Sequence, residues 1–133
     1  MNSARIIGVA GGSGGVGASV LTAAIAAKAG LCPVALDGDR LGGGLDVTLG
    51  LEQERGARWP DLQGTRGCVD GPALLRRLPS VDGVCVLSFD RARDVPLASE
   101  IVQEVLRGLS GAVDVVVVDL PRPDHGIFAA LVP

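Results

Sequence analysis

A run of glycines, GGSGGVGASV from Gly11 to Val20, constrains the fold more than any other part of the sequence. The segment before it, Arg5–Ala10 (RIIGVA), is a short apolar run that predicts a buried parallel strand. The segment after it, Ser19–Ala29 (SVLTAAIAAKA), is rich in alanine and predicts a helix that ends at Gly30. A second strand is predicted at Pro33–Leu36 (PVAL), so these elements form one βαβ unit.

The rest of the chain continues this alternation after a long irregular region, Gly38–Asp70. The later predicted elements are a helix at Gly71–Leu78, a strand at Val84–Phe89, a helix at Pro96–Leu109 and a strand at Val113–Leu120. The alternation predicts an α/β fold with three layers and a sheet of about four mostly parallel strands. Ligands of such sheets bind at the carboxyl ends of the strands, where the glycine loop, Asp37, Asp39 and Asp119 lie.

Composition excludes several classes of function. The chain has 133 residues, which argues for a single domain spanning 1–133. Its net charge of −3 and its aromatic content of 2% argue against direct binding to nucleic acid. A single histidine and the absence of any CxxC pair argue against a zinc or multi-histidine site. No apolar run has the length of a signal peptide or a membrane span, so we expect a cytoplasmic protein.

The glycine loop has the chemistry of a phosphate site, because it exposes backbone N–H groups at the positive end of a helix dipole. The residues expected to bind the ligand are Gly12, Ser13, Gly14, Gly15, Val16, Gly17, Ala18, Ser19 and Val20. In one interpretation, Gly14–Ser19 is the GGxGK[ST] end of a P-loop, and Ser19 binds Mg²⁺ together with Asp119, a Walker B acid. Asp37 and Asp39 then orient a water molecule, and Ala18 stands where the P-loop lysine is expected.

Two alternatives compete with the P-loop. Gly12–Gly17 also satisfies GxGxxG, and Asp37 lies where an acid binds the ribose of NAD(P). The chain has no tyrosine, and Lys28 is its only lysine. It therefore lacks the Tyr-x-x-x-Lys pair of a short-chain dehydrogenase, and this alternative is a non-catalytic NAD(P)-binding module. The second alternative is a scaffold that binds no nucleotide and uses the loop 38–70 as a contact surface. Trp59 and three exposed arginines would form that surface: Arg55, Arg58 and Arg66. Trp59 is also consistent with a core residue beneath the loop, and we favour that interpretation.

Three segments together resemble the MinD/ParA group of deviant P-loop ATPases: GGSGGVGAS, VALDGDRLGGGLDVTLGLE and VDVVVVDLP. The motifs WPDL, VDG and VLSFDR resemble more narrowly its CpaE/TadZ-like branch, often labelled septum-site-determining proteins. The likeness extends from Ile6 to Pro121. It implies ATP or ADP with Mg²⁺, and a role in positioning the septum or the Flp/Tad pilus and secretion machinery. It also implies self-association or a partner protein of that machinery.

The chain departs from this family in two respects. Ser13 and Ala18 replace the signature lysine and the second P-loop lysine, so we expect weak ATP hydrolysis or none. The resemblance then leaves Asp39 as the residue that positions water, with Asp37 in support. Members of the family continue beyond the Walker B strand, so we expect 1–133 to be an incomplete, degenerate P-loop domain truncated after that strand.

Overall fold

The computed structural model describes residues 4–10, 16–28, 33–38, 44–90, 92–93 and 97–120. Its strands are β1 (Arg5–Ala10), β2 (Pro33–Asp37), β3 (Ser80–Val81), β4 (Val84–Leu87) and β5 (Val115–Leu120). Its helices are α1 (Val16–Lys28), α2 (Leu45–Thr48), α3 (Gly71–Arg77) and α4 (Ser99–Ser110), with a 3₁₀ turn at Trp59–Leu62. The four predicted strands are therefore confirmed, and their ends agree with the prediction to within two residues.

The five strands form one sheet in the order β1-β5-β2-β4-β3. β1, β5, β2 and β4 are parallel, and β3 runs antiparallel to β4. The expected number of about four strands is wrong because Ser80–Val81 adds a short fifth strand. Asp82 and Gly83 join it to β4 with φ angles of 50° and 82°. Two positive φ angles are typical of the type I′ turn, which matches the twist of a two-residue hairpin.

Helices cover both faces of the sheet, which confirms the three-layer α/β prediction. On one face, Leu36, Val116 and Val118 pack against residues of α3 and α4. On the other face, Ala35 and Val117 pack in one cluster with residues of α1 and α2. β5 lies between β1 and β2, and its first five residues are buried. A strand in this position contacts both helical layers. For this reason all four of its consecutive valines are buried.

The irregular region contains α2 and the 3₁₀ turn, and Trp59 lies at the start of that turn. Its side chain is only 1% exposed. Its indole Nε1 donates a hydrogen bond to the backbone oxygen of Asp37 at 2.8 Å, and its backbone N donates to the oxygen of Ser88 at 3.0 Å. Trp59 therefore joins the carboxyl ends of β2 and β4. This confirms the interpretation of Trp59 as a core residue.

Arg58 is not on the surface, so the predicted contact surface is wrong at this residue. It is 6% exposed, and its guanidinium donates to the backbone oxygens of Leu51 at 3.0 Å and Glu54 at 3.1 Å. These carbonyl groups lie in a stretch without regular structure and need donors, which explains the burial. Arg55 and Arg66 are exposed, as expected.

Helices α3 and α4 approach each other closely at two glycines. A Cβ atom added to Gly108 would lie 2.6 Å from the backbone oxygen of Val69, and one added to Gly71 would collide with the backbone of Gly108. The contact therefore requires the absence of side chains at both positions. Among the described residues, no helix has both the length and the apolar character needed to cross a bilayer.

Candidate functional site

Two buried carboxylates lie side by side at the carboxyl edge of the sheet. Asp37 is the last residue of β2, and Asp119 is its Cα partner on the neighbouring strand β5. Their exposed fractions are 1% and 2%. Adjacent parallel strands are about 4.8 Å apart, so the carboxylates are direct neighbours. Because side chains alternate along a strand, Asp37 and Asp119 face the same side as Ala35 and Val117, the side that α1 covers.

The Asp37 carboxylate also has a structural role. Its Oδ2 accepts a hydrogen bond from the backbone N of Leu45, the first residue of α2, at 2.9 Å. Gly44, the residue before α2, has no side chain that could cap the helix. Asp37 instead accepts the hydrogen bond from an N–H group in the first turn of α2. On the next strand, the backbone oxygen of Asp119 accepts from Gly38 N at 2.8 Å. Both acids are thus held in position by the backbone around them.

Helix α1 begins with the first turn that the sequence predicts to bind phosphate. It begins at Val16, three residues before the predicted start at Ser19. Val16, Gly17, Ala18 and Ser19 form its first turn, where backbone N–H groups lack partners within the helix. The first turn contains no acidic residue that would offset the positive end of the helix dipole. β1 ends at Ala10, and its register places Val9 beside Asp119. Asp119 therefore lies beside the strand that leads into this helix, and Asp37 lies one strand further away.

Several predicted residues lie outside the described part of the chain, namely Gly12, Ser13, Gly14, Gly15 and Asp39. The side chains from Val16 to Val20 are also outside it, so their predicted contacts with phosphate and Mg²⁺ stay predictions. Of the predicted acids, the structure brings together Asp37 and Asp119.

A further polar residue at this edge was missed by the sequence analysis. Ser88 directly follows β4 and is fully buried, with an exposed fraction of 0%. Its Oγ has no hydrogen-bond partner among the described residues. The only sequence signal was its place after a buried strand, where a lone serine in VLSFDR gives no hint of burial.

The donor set suits a hard divalent cation. Mg²⁺ is usually bound by one or two carboxylates, with water and phosphate oxygens completing its shell. Asp119 offers one such carboxylate, and Asp37 beside it can accept hydrogen bonds from water in the shell of the cation. Two negative charges in a buried site are unfavourable unless a cation or hydrogen bonds compensate them. The arrangement therefore fits Mg²⁺ brought in with a nucleotide.

The strand order argues against the dinucleotide alternative. In dinucleotide-binding folds the first two strands are neighbours, which brings the acid of the second strand to the glycine loop of the first. Here β5 lies between β1 and β2. Asp37 is consequently two strand spacings from β1, or about 10 Å, and Asp119 takes the nearer position.

No family model matches the chain, but curated relatives do. Two curated relatives are 39% identical over 118 residues: the uncharacterized proteins MT3760 and Rv3660c from two strains of Mycobacterium tuberculosis. The match covers 88% of the chain and 33% of each relative, so the chain spans about a third of their length.

Two solved structures are similar along nearly the whole chain. The MinD cell division protein of Aquifex aeolicus is 27% identical with a TM-score of 0.67, over 96% of this chain and 52% of that one. The MinC:MinD cell division protein complex of the same organism gives 27% identity and a TM-score of 0.70, over 97% and 52%. The fold therefore matches that of about half of the MinD chain, and these likenesses support placing the chain in the superfamily of MinD/ParA-type P-loop ATPases.

Proposed function

We propose that this chain is a degenerate MinD/ParA-like nucleotide-binding domain that takes ATP or ADP with Mg²⁺ and hydrolyses ATP weakly or not at all. The observation that carries the proposal is the buried pair of Asp37 and Asp119 on neighbouring strands, with Asp119 beside the strand that leads into α1. Two adjacent buried carboxylates are costly for a core, even though Asp37 also accepts a hydrogen bond from Leu45 N. A cation that arrives with phosphates would offset the negative charge of both, in addition to the interactions that they already make.

Each residue then has a separate task. The backbone N–H groups of Gly14–Ser19 hold the phosphates, and Ser19 and Asp119 hold Mg²⁺. Mg²⁺, when bound, would offset the negative charge of the phosphates. Asp39 orients a water molecule, and Asp37 supports it while it anchors α2 through Leu45.

Hydrolysis is weak because two positive charges are missing. Ser13 and Ala18 occupy the two lysine positions of the family, and neither side chain carries charge. Removing an electrostatic clamp on a phosphoryl transition state costs several kcal/mol, on the order of 10²–10³ in rate for one donor. Backbone N–H groups remain, so binding is retained better than turnover.

For the biological role, we propose a cytoplasmic, CpaE/TadZ-like protein that positions the septum or the Flp/Tad pilus and secretion machinery. Nucleotide would favour self-association or binding of a partner protein of that machinery. The similarity to MinD in its complex with MinC supports a role that depends on protein contacts. Size-exclusion chromatography with light scattering, with and without Mg·ATP, tests self-association directly.

The deciding experiment is calorimetric titration of the chain with Mg·ATP, Mg·ADP and NADH in separate runs. We expect binding of ATP or ADP and no binding of NADH, and we expect Asp119→Ala to abolish it. Asp114→Ala is the matched control, because Asp114 is an exposed acid just before β5. NADH binding that Asp37→Ala removes would establish the dinucleotide module instead. No heat with any of the three ligands would favour the scaffold that binds no nucleotide.

Restoring the missing charge gives an independent test. We expect Ala18→Lys to tighten binding of Mg·ATP by about tenfold, as one charge-assisted hydrogen bond of about 1.5 kcal/mol would. Phosphate release should also become measurable in this variant. Ala24→Lys, on the exposed side of the same helix, is the control for added charge alone. If both variants bind alike, the position of Ala18 has no special relation to the phosphates.

A further inference from the structure

Ser88 lies in the same row of the sheet as the two carboxylates. Leu36 of β2 and Leu87 of β4 form the last pair of their parallel ladder, and Asp37 and Ser88 directly follow this pair. Continuing the register by one residue places Asp37 and Ser88 side by side. Asp37 is in turn paired with Asp119. Three oxygen-bearing side chains thus follow one another across the carboxyl edge of three neighbouring strands.

The hydroxyl group of Ser88 faces the same side as the carboxylates. Val84 and Val86 of β4 pack in the cluster on the α1 face of the sheet. Since side chains alternate along the chain, Ser88 continues this set, whereas Leu87 packs on the opposite face. Ser88 is therefore directed to the layer that contains Asp37, Asp119 and α1.

A buried hydroxyl without a hydrogen bond is unfavourable, and an unsatisfied group of this kind calls for an explanation. Ser88 Oγ is such a group within the described residues. Its neighbour Asp37 accepts hydrogen bonds but donates none when ionised. A water molecule held between the two accepts from the hydroxyl and donates to the carboxylate, so it satisfies both.

We propose that Ser88 is a positioning residue of the Mg²⁺ and nucleotide site, whose hydroxyl group holds a water molecule against the Asp37–Asp119 pair when the site is loaded. This inference rests on the proposed function. It adds a residue outside the glycine loop and the two acids, supplied by the strand on the far side of β2. It also explains why a polar residue is buried where an apolar one would satisfy the core.

Trp59 provides a local reporter for this row. Its backbone N donates to Ser88 O at 3.0 Å, and its indole Nε1 donates to Asp37 O at 2.8 Å. It is the only tryptophan, and the chain has no tyrosine. Its fluorescence therefore responds to changes at these two positions without background from other strong fluorophores.

The test titrates the full chain with MgCl₂ alone and with Mg·ADP, and follows the emission of Trp59. Three proteins are compared: the parent, Ser88→Ala and the matched control Ser80→Ala, whose hydroxyl is exposed on β3. Loss of one hydrogen bond to a bound water predicts an affinity for Mg·ADP about three- to tenfold weaker in Ser88→Ala. Ser80→Ala should bind like the parent.

Urea unfolding without Mg²⁺ or nucleotide separates this role from a structural one. If the hydroxyl lacks a partner in the free protein, Ser88→Ala should unfold at the same urea concentration as the parent or a higher one. Equal Mg·ADP affinity in the two proteins would overturn the inference. So would a clear loss of stability without ligand, because the hydroxyl would then already be satisfied. Should Ser88→Ala not fold, Ser88→Cys, a similar shape with a weaker donor, gives the same comparison.

The two proposals fail in different ways. If the parent binds no nucleotide but its emission responds to MgCl₂, and Ser88→Ala weakens that response, the proposed function falls and the role of Ser88 at the cation site stands. If the parent responds to neither, both fall. If the parent binds Mg·ADP and Ser88→Ala binds it equally, only the inference about Ser88 falls.

Discussion

Two substitutions of Asp37 separate its structural role from its chemical one. Asp37→Ala removes the acceptor that lies 2.9 Å from Leu45 N and leaves a buried N–H group unsatisfied. A loss of this kind costs about 1–3 kcal/mol of stability. Asp37→Asn keeps an oxygen that can accept from Leu45 N, and it removes one of the two negative charges at this edge of the sheet.

For Asp37→Asn, the loss of one negative charge is expected to change the stability more than the change in hydrogen bonding. Asp37 and Asp119 are paired across adjacent strands, about 5 Å apart. At an effective dielectric constant of about 20, two unit charges at this distance repel by up to about 3 kcal/mol. Both acids also make further interactions, which alter this value. Without Mg²⁺ we therefore expect Asp37→Asn to be at least as stable as the parent, and at least about 1 kcal/mol more stable than Asp37→Ala.

The assay is urea unfolding followed by Trp59 emission, in the presence and absence of Mg·ADP. A ligand at one hundred times its Kd stabilises the parent by about 2.7 kcal/mol. Asp37→Asn should gain much less, although it is the more stable protein without ligand. Asp114→Asn, an exposed acid, is the control for charge removal elsewhere. An Asn variant less stable than the Ala variant would refute the reasoning, because the negative charge would then be favourable in the free protein.

Two further predictions concern the scaffold. Gly108→Ala should lose about 1–3 kcal/mol of stability from overpacking, because its Cβ would lie 2.6 Å from Val69 O. The Cβ of Gly64→Ala meets no atom within 4 Å, so this variant should be nearly neutral. Thermal unfolding of both variants measures the difference. Equal effects of the two would contradict the close approach of α3 and α4. Arg93 donates hydrogen bonds to Asp61 at 2.6 Å and Asp90 at 2.7 Å, and these hold the pKa of both carboxyl groups below the usual 3.8. Their contribution to stability is therefore present above about pH 4 and lost as the pH falls through the lowered pKa values. Arg93→Gln should destabilise the protein at pH 7, and this deficit should shrink as the pH is lowered below about 4. A deficit that does not change with pH would exclude the ion pairs as its cause.

The local parts of the fold could be predicted because they depend on local composition. The run Val115–Val118 indicates a strand covered on both faces, and the structure confirms it. The Asp82-Gly83 pair between Val81 and Val84 is a hairpin signal, and the sequence analysis overlooked it although it was present. The predicted start of α1 came three residues late, because glycines weaken the helical signal in its first turn.

The arrangement of the site could be predicted only in part, because it depends on contacts between distant segments. The sequence assigned Asp37 and Asp119 separately to the ends of strands, but only the strand order makes them neighbours. Arg58 was expected at the surface because arginine is usually exposed. Its burial depends on where the backbone carbonyl groups of Leu51 and Glu54 lie, and no pattern in the sequence reveals their position. Ser88 became a candidate only when its place after the Leu36–Leu87 pair was known, together with the lack of a hydrogen-bond partner for its hydroxyl among the described residues.

The central place of β5 has a consequence for how the chain folds. β1 and β2 do not pair with each other, and each forms its ladder with β5, which comes much later in the sequence. Such contacts have a large sequence separation and slow the search for the native topology. Until β5 is synthesised, β1 has no partner among the described strands, and its apolar residues stay exposed to solvent. Exposed apolar residues of this kind favour aggregation. Hydrogen exchange in β1 should therefore become protected only when β5 is docked, so the two carboxylates and the helix α1 are assembled in a single late step.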